Sequence, residues 1–182
     1  MILPLFRRSP RDDRIRALYG AIVAQARSAA FYADYGVPDT VEGRFDLIVL
    51  HLVLLLRRLD TDDGVERGFG QELFDVFCAD LDGNLREMGV GDLAVPKKMR
   101  QFAEAFYGRQ AVYLAALAAP DKRDFENALA RNIFQTAEVD DGAARLARYA
   151  RVVLKEFDVQ EEPALMRGEV VFPNPEAIPH AR

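Results

Sequence analysis

The chain of 182 residues contains one cysteine, two histidines and no tryptophan. A single thiol, Cys78, excludes an intrachain disulfide framework and any zinc or iron–sulfur centre built from several cysteines. His51 and His180 leave little material for imidazole chemistry. Lysine is scarce too: Lys97, Lys98, Lys122 and Lys155 stand among many arginines, which with abundant alanine points to a GC-rich bacterial genome. Excess positive charge is missing, since the net charge is −5, and this argues against a nucleic-acid binder. No run is long enough to span a bilayer. The longest, residues 47–56, is interrupted by His51 and reaches about half of the roughly 20 residues required. Residues 1–6 are too short for an export signal, and Arg7 and Arg8 follow them rather than precede them, so a cytoplasmic protein is expected.

What is present is a helical pattern over a soluble composition, half hydrophobic and 29% charged. A folded chain of this size buries roughly 70% of its extended surface. Ser9 and Pro10 open a first helix whose apolar residues recur from Ile15 to Ala33. Residues 39–42 match a capping box for a second helix, to about Leu59, apolar on most of its circumference and therefore central. A third runs from about Gly70 to Met88, a fourth starts at Pro96, a fifth is capped by Asp121 and a sixth by Asp140 or Asp141. The expectation is an all-α, compact single-domain bundle of about six helices: an arm at residues 1–8, the helical domain at 9–160, and an acidic, proline-punctuated, partly disordered extended tail at 161–182.

Motifs that could carry chemistry are weak. Gly64, Gly68 and Gly70 fit neither phosphate-binding pattern, and no strand precedes them. Residues 80–91 place their glycine too early for a calcium loop and lack its closing carboxylate. Asp60, Asp62 and Asp63 read as a solvated loop. His51 reads as a satisfied core histidine, Cys78 as inert packing, and Phe102, Phe106, Tyr107 and Tyr113 as a helix core. No catalytic, cofactor-binding or metal-ligating residue is expected.

Charge is segregated within residues 80–109. Asp80, Asp82, Glu87 and Asp92 dominate before Pro96; Lys97, Lys98, Arg100 and Arg109 dominate after it. Cations at a helix N-terminus oppose the helix dipole, so this placement suits an outside partner or an acidic neighbour. In this block the sequence resembles the ubiquinol–cytochrome c chaperones, assembly factors of respiratory complex III. The resemblance rests on DGNLREMGV at residues 82–90, Asp92, Val95-Pro96-Lys97-Lys98-Met99 and Ala105-Phe106-Tyr107-Gly108-Arg109, with support from Tyr19, Phe31-Tyr32, Arg44-Phe45-Asp46 and Ala130-Arg131-Asn132. It implies an α-helical, non-enzymatic chaperone that binds newly made cytochrome b and aids its maturation.

A client of that kind calls for an apolar groove with a charged rim. The expected partner surface is the junction of the third and fourth helices: Met88, Val90, Leu93, Lys97, Lys98, Met99, Arg100, Tyr107 and Arg109, with Val95 beside them. Peripheral membrane contact is expected from Ile2, Leu3, Leu5 and Phe6 followed by arginines. Two other function classes stay open at this point, a generic helical adaptor and a metal-dependent helical enzyme using Asp60, Asp62 and Asp63.

Overall fold

Residues 47–56 organise the molecule. All but Ile48 are buried, and a helix buried around its whole circumference must have neighbours on every side. The computed structural model describes residues 9–60 and 68–179, all-α with no strand among them. Its elements are α1 (Pro10–Ala26), α2 (Ala29–Ala33), α3 (Val41–Asp60), α4 (Phe69–Glu87), α5 (Val95–Ala118), α6 (Arg123–Leu129), a π-helical turn (Ala130–Phe134), α7 (Asp141–Val159), α8 (Glu162–Met166) and a 3-10 turn (Pro175–Ala177). Helix α3 is the axis, packed against α1, α4, α5, α7 and the π turn. The arm at residues 1–8, the acidic positions Asp62 and Asp63 with Gly64, and His180 lie outside the described residues.

Local chemistry explains most boundaries. Ser9 and Asp12 form a reciprocal capping box on α1. That helix ends at Ala26, not at Ala33 as the spacing suggests. The Tyr32 hydroxyl donates to the Ala26 carbonyl at 2.8 Å, and the turn before α2 lets Phe31 and Tyr35 enter the core. The cap of α3 falls one residue later than expected: the Thr40 hydroxyl accepts from the Gly43 amide at 3.1 Å, while Asp39 turns outward to Arg44. Glycine is required at position 43, where a Cβ would stand 2.0 Å from the Pro38 carbonyl oxygen. Asp140 caps α7 through the Ala143 amide at 2.8 Å. The fifth expected helix is α6 continued by the π turn, which stops at Gln135 in a left-handed conformation.

The segment after Gln160 is extended for most of its length but not loose. Leu165, Met166 and Ile178 are buried, and Phe172 packs on His51 and Phe157. Four of its backbone carbonyls accept from side chains of the bundle. Arg14 donates to Met166, Gln25 to Pro173, the Tyr35 hydroxyl to Pro175 and Arg145 to Ile178, at 2.6–3.0 Å. Composition alone suggested disorder because it counts acids and prolines, not the few apolar side chains that find matching sites.

One polar chain crosses this core. His51 Nδ1 lies 2.7 Å from the Leu47 carbonyl, which can only accept, so that nitrogen carries the ring proton. Nε2 therefore accepts from the Tyr149 hydroxyl at 2.8 Å, and Tyr149 accepts from Gln25 at 2.9 Å. The sequence reading of His51 as a satisfied core residue holds, and burial pushes its pKa down to about 4.

Candidate functional site

Arg44, Phe45 and Asp46 sit in the first turns of α3, and Arg109 sits in the middle of α5. Where these helices meet, Arg109 Nη2 lies 2.8 Å from Asp46 Oδ1. The pair is close in distance without the aligned geometry of a hydrogen bond, and the Arg109 Nε also has no acceptor. Asp46 is 1% exposed, so loss of hydration dominates: burial pushes its pKa up to about 6, against the lowering pull of Arg109. The fully buried Tyr113 hydroxyl, one turn further along α5, also lacks a partner.

Above this pair the helices part to leave an open groove of about 300 Å³. Phe45, Phe102, Ala105 and Val41 supply its apolar lining; Glu42, Lys98 and Arg109 supply charge of both signs. The floor is firm. Phe45 stacks on Phe77 and meets Phe102 at a centroid distance of 5.1 Å, with the Arg109 guanidinium 5.8 Å above its ring. An arrangement of this kind can hold an apolar segment and fix its register through the charges.

The residues expected to form one partner surface divide into three settings. Lys98 and Arg109 border the groove. Met88, Leu93, Lys97 and Arg100 are exposed on and beside the α4–α5 turn, with Val90 and Met99 half-buried and Val95 closed into the core. Tyr107 is 53% exposed and faces the α4 side, its ring tilted against Phe74 and edge-on to Phe106 rather than joining the core. Phe106 and Tyr113 are core residues as expected, Phe102 is half-buried at the groove, and Cys78 is half-buried with its thiol pKa raised by burial. The groove residues on α3 escaped the sequence reading. A carboxylate at the start of an apolar run, followed sixty residues on by an arginine in an otherwise apolar stretch, was the available signal.

The charged residues at residues 82–92 have a local task. Arg86 pairs with both Asp82 and Asp92, tying the end of α4 to the turn, and Gly89 at φ +80° closes the helix with its amide and that of Val90 bonded to Arg86 and Leu85 carbonyls. Among the described residues, no group of three or more His, Cys, Asp or Glu is placed to hold a metal ion, and no helix is long and apolar enough to cross a membrane.

Comparison with known proteins adds two matches. The family model described as ubiquinol-cytochrome C chaperone matches residues 33–172. A solved structure, the Cbp3 homolog from Brucella abortus, superposes with a TM-score of 0.83 at 35% identity, covering 98% of this chain and 100% of that one. None of the curated proteins compared with the chain matches it.

Proposed function

The chain belongs to the ubiquinol–cytochrome c chaperone family, and from that premise we propose that it is a non-enzymatic assembly chaperone for the cytochrome bc complex whose client is newly made cytochrome b. Its place of action on this reading is the cytoplasmic side of the inner membrane. The observation that carries the reading is the α3–α5 groove: aromatic and aliphatic side chains on a rigid floor, rimmed by Glu42, Lys98 and Arg109. A hydrophobic membrane protein exposes apolar helices before it is assembled, and such a groove shields one of them while the rim charges meet its polar flanks.

Filling the groove tests this. Ala105 is half-buried in its lining, so Ala105→Trp places an indole where the client segment would lie. Affinity co-purification of cytochrome b from bacterial membranes should fall about tenfold, the equivalent of about 1.4 kcal/mol. The thermal midpoint should stay within a few degrees of the wild type. Undiminished recovery of cytochrome b would refute the groove as the client site. A deletion strain with an unchanged cytochrome b haem spectrum in its membranes would refute the function itself.

A further inference from the structure

We propose that the α4–α5 connection, with the first turn of α5, is an edge by which the protein rests on an anionic lipid surface. This goes beyond client holding and, apart from Lys98, which borders both, uses side chains other than those lining the groove. Leu93 is 99% exposed and Met88 69%. The two stand five residues apart on one short connection, close enough to act together as an apolar patch where the backbone beneath them is fixed. Here it is fixed: Gly89 closes α4, the amides of Ala94 and Val95 bond to the Gly91 carbonyl, Arg86 ties Asp82 to Asp92, and Val95 anchors the turn in the core.

The charge around these two side chains selects the partner. Arg86, Lys97, Lys98 and Arg100 against Glu87 and Asp92 give residues 86–100 a net charge of +2, in a chain of net −5. Arg86 is taken up by Asp82 and Asp92, which leaves Glu87 against Lys97, Lys98 and Arg100. Lys97, Lys98 and Arg100 are exposed and pair with no acid among the described residues. Three cations at a helix N-terminus work against the helix dipole, so the fold itself gains nothing from them. Lys97 and Arg100 lie three residues apart on α5, on neighbouring positions of one face, and Leu93 stands in the turn that leads into that helix.

A bilayer fits this pattern better than a protein does. A stable protein interface needs about 800 Å² from each partner and some twenty residues. Two apolar side chains flanked by long cationic ones offer far less, and they match the requirements of an interface lipid site: apolar side chains at the acyl boundary, with lysine and arginine heads reaching phosphates. On an acidic protein such an edge also favours one orientation, since the remainder of the chain is net negative.

Co-sedimentation of the full chain with vesicles tests the proposal. The protein should bind phosphatidylcholine vesicles doped with phosphatidylglycerol, should leave pure phosphatidylcholine vesicles unbound, and should be released by salt. Each neutralised cation near a membrane surface costs about fivefold in partitioning, so Lys97→Gln with Arg100→Gln should weaken binding roughly 25-fold. Met88→Ser with Leu93→Ser should weaken it about tenfold at unchanged charge. All four positions are exposed, so both variants should melt with the wild type and still capture cytochrome b through the groove. Wild-type protein that ignores anionic vesicles would overturn the proposal. Variants that bind them as the wild type does would overturn it too, because the contact would then lie elsewhere. Loss of cytochrome b capture in these variants with vesicle binding intact would make the edge a protein-docking surface instead. Failure of Ala105→Trp to affect client recovery leaves this test untouched.

Discussion

A chain ending at Gln160 should fail to form a stable domain. The segment beyond it buries Leu165, Met166 and Ile178 and lays Phe172 across His51 and Phe157. At about 1.5–3 kcal/mol for each fully buried side chain, Leu165, Met166 and Ile178 contribute about 5–9 kcal/mol and half-buried Phe172 a smaller share, an upper-side figure because an unfolded chain is never fully extended. The whole stability of a domain is about 5–15 kcal/mol. Truncation also strands donors. Gln25, Tyr35 and Arg145 each give a hydrogen bond to a carbonyl of the removed segment, and Arg145 is itself buried. Urea unfolding followed by circular dichroism should show a broad or absent transition for the truncated chain. A cooperative transition at the full-length midpoint would show that the segment is an accessory. The single change Tyr35→Phe, which removes one of these bonds, should cost about 1 kcal/mol and keep the transition cooperative.

The second large effect concerns pH, and it is hidden in the wild type by compensation. Asp46 has its folded pKa raised to about 6 from 3.8, so its contribution to stability is fully present below 3.8 and is lost as the pH rises through about 6. His51 has its folded pKa lowered to about 4 from 6.5, so its contribution is fully present above 6.5 and is lost as the pH falls towards 4. Each displacement is worth about 3 kcal/mol, with opposite sign over nearly the same interval. Asp46→Asn removes the acid-stabilising member. Relative to the wild type, it should lose about 3 kcal/mol between pH 6.5 and 4. His51→Gln removes the other and should gain about as much relative to the wild type over that interval. The measurement is the urea midpoint against pH for wild type, both variants and the double variant. The double variant should again run parallel to the wild type. Parallel curves for all four proteins would show that neither burial shifts its group as stated.

Helix positions were readable wherever one residue type controls them. Ser9, Asp140 and Pro96 announce helix starts, and the run at residues 47–56, apolar but for His51, announces a central helix, because burial on all sides removes the need for a polar face. Boundaries set by tertiary contact were not readable. The break after Ala26 depends on a hydroxyl six residues later, and the π turn at 130–134 has no composition of its own. The groove was half legible. Arg109 and Lys98 stood out as charges in the right block, but Phe45, Asp46 and Ala105 become site residues only when α3 and α5 are laid together. Tyr107 shows the opposite failure: its spacing along α5 suits the core, yet Phe74 and Phe106 occupy the inner positions and leave the phenol at the surface.

The polar chain through His51 has one further use. Its Nδ1 proton is directed at the Leu47 carbonyl inside a side chain with no exposure, so water can reach it only when the domain opens. Its resonance in a proton NMR spectrum should lie far downfield and should survive transfer into deuterated solvent for as long as the bundle stays closed. One imidazole proton then works as a clock for global opening, read without a label, in the free protein and in the protein bound to its client.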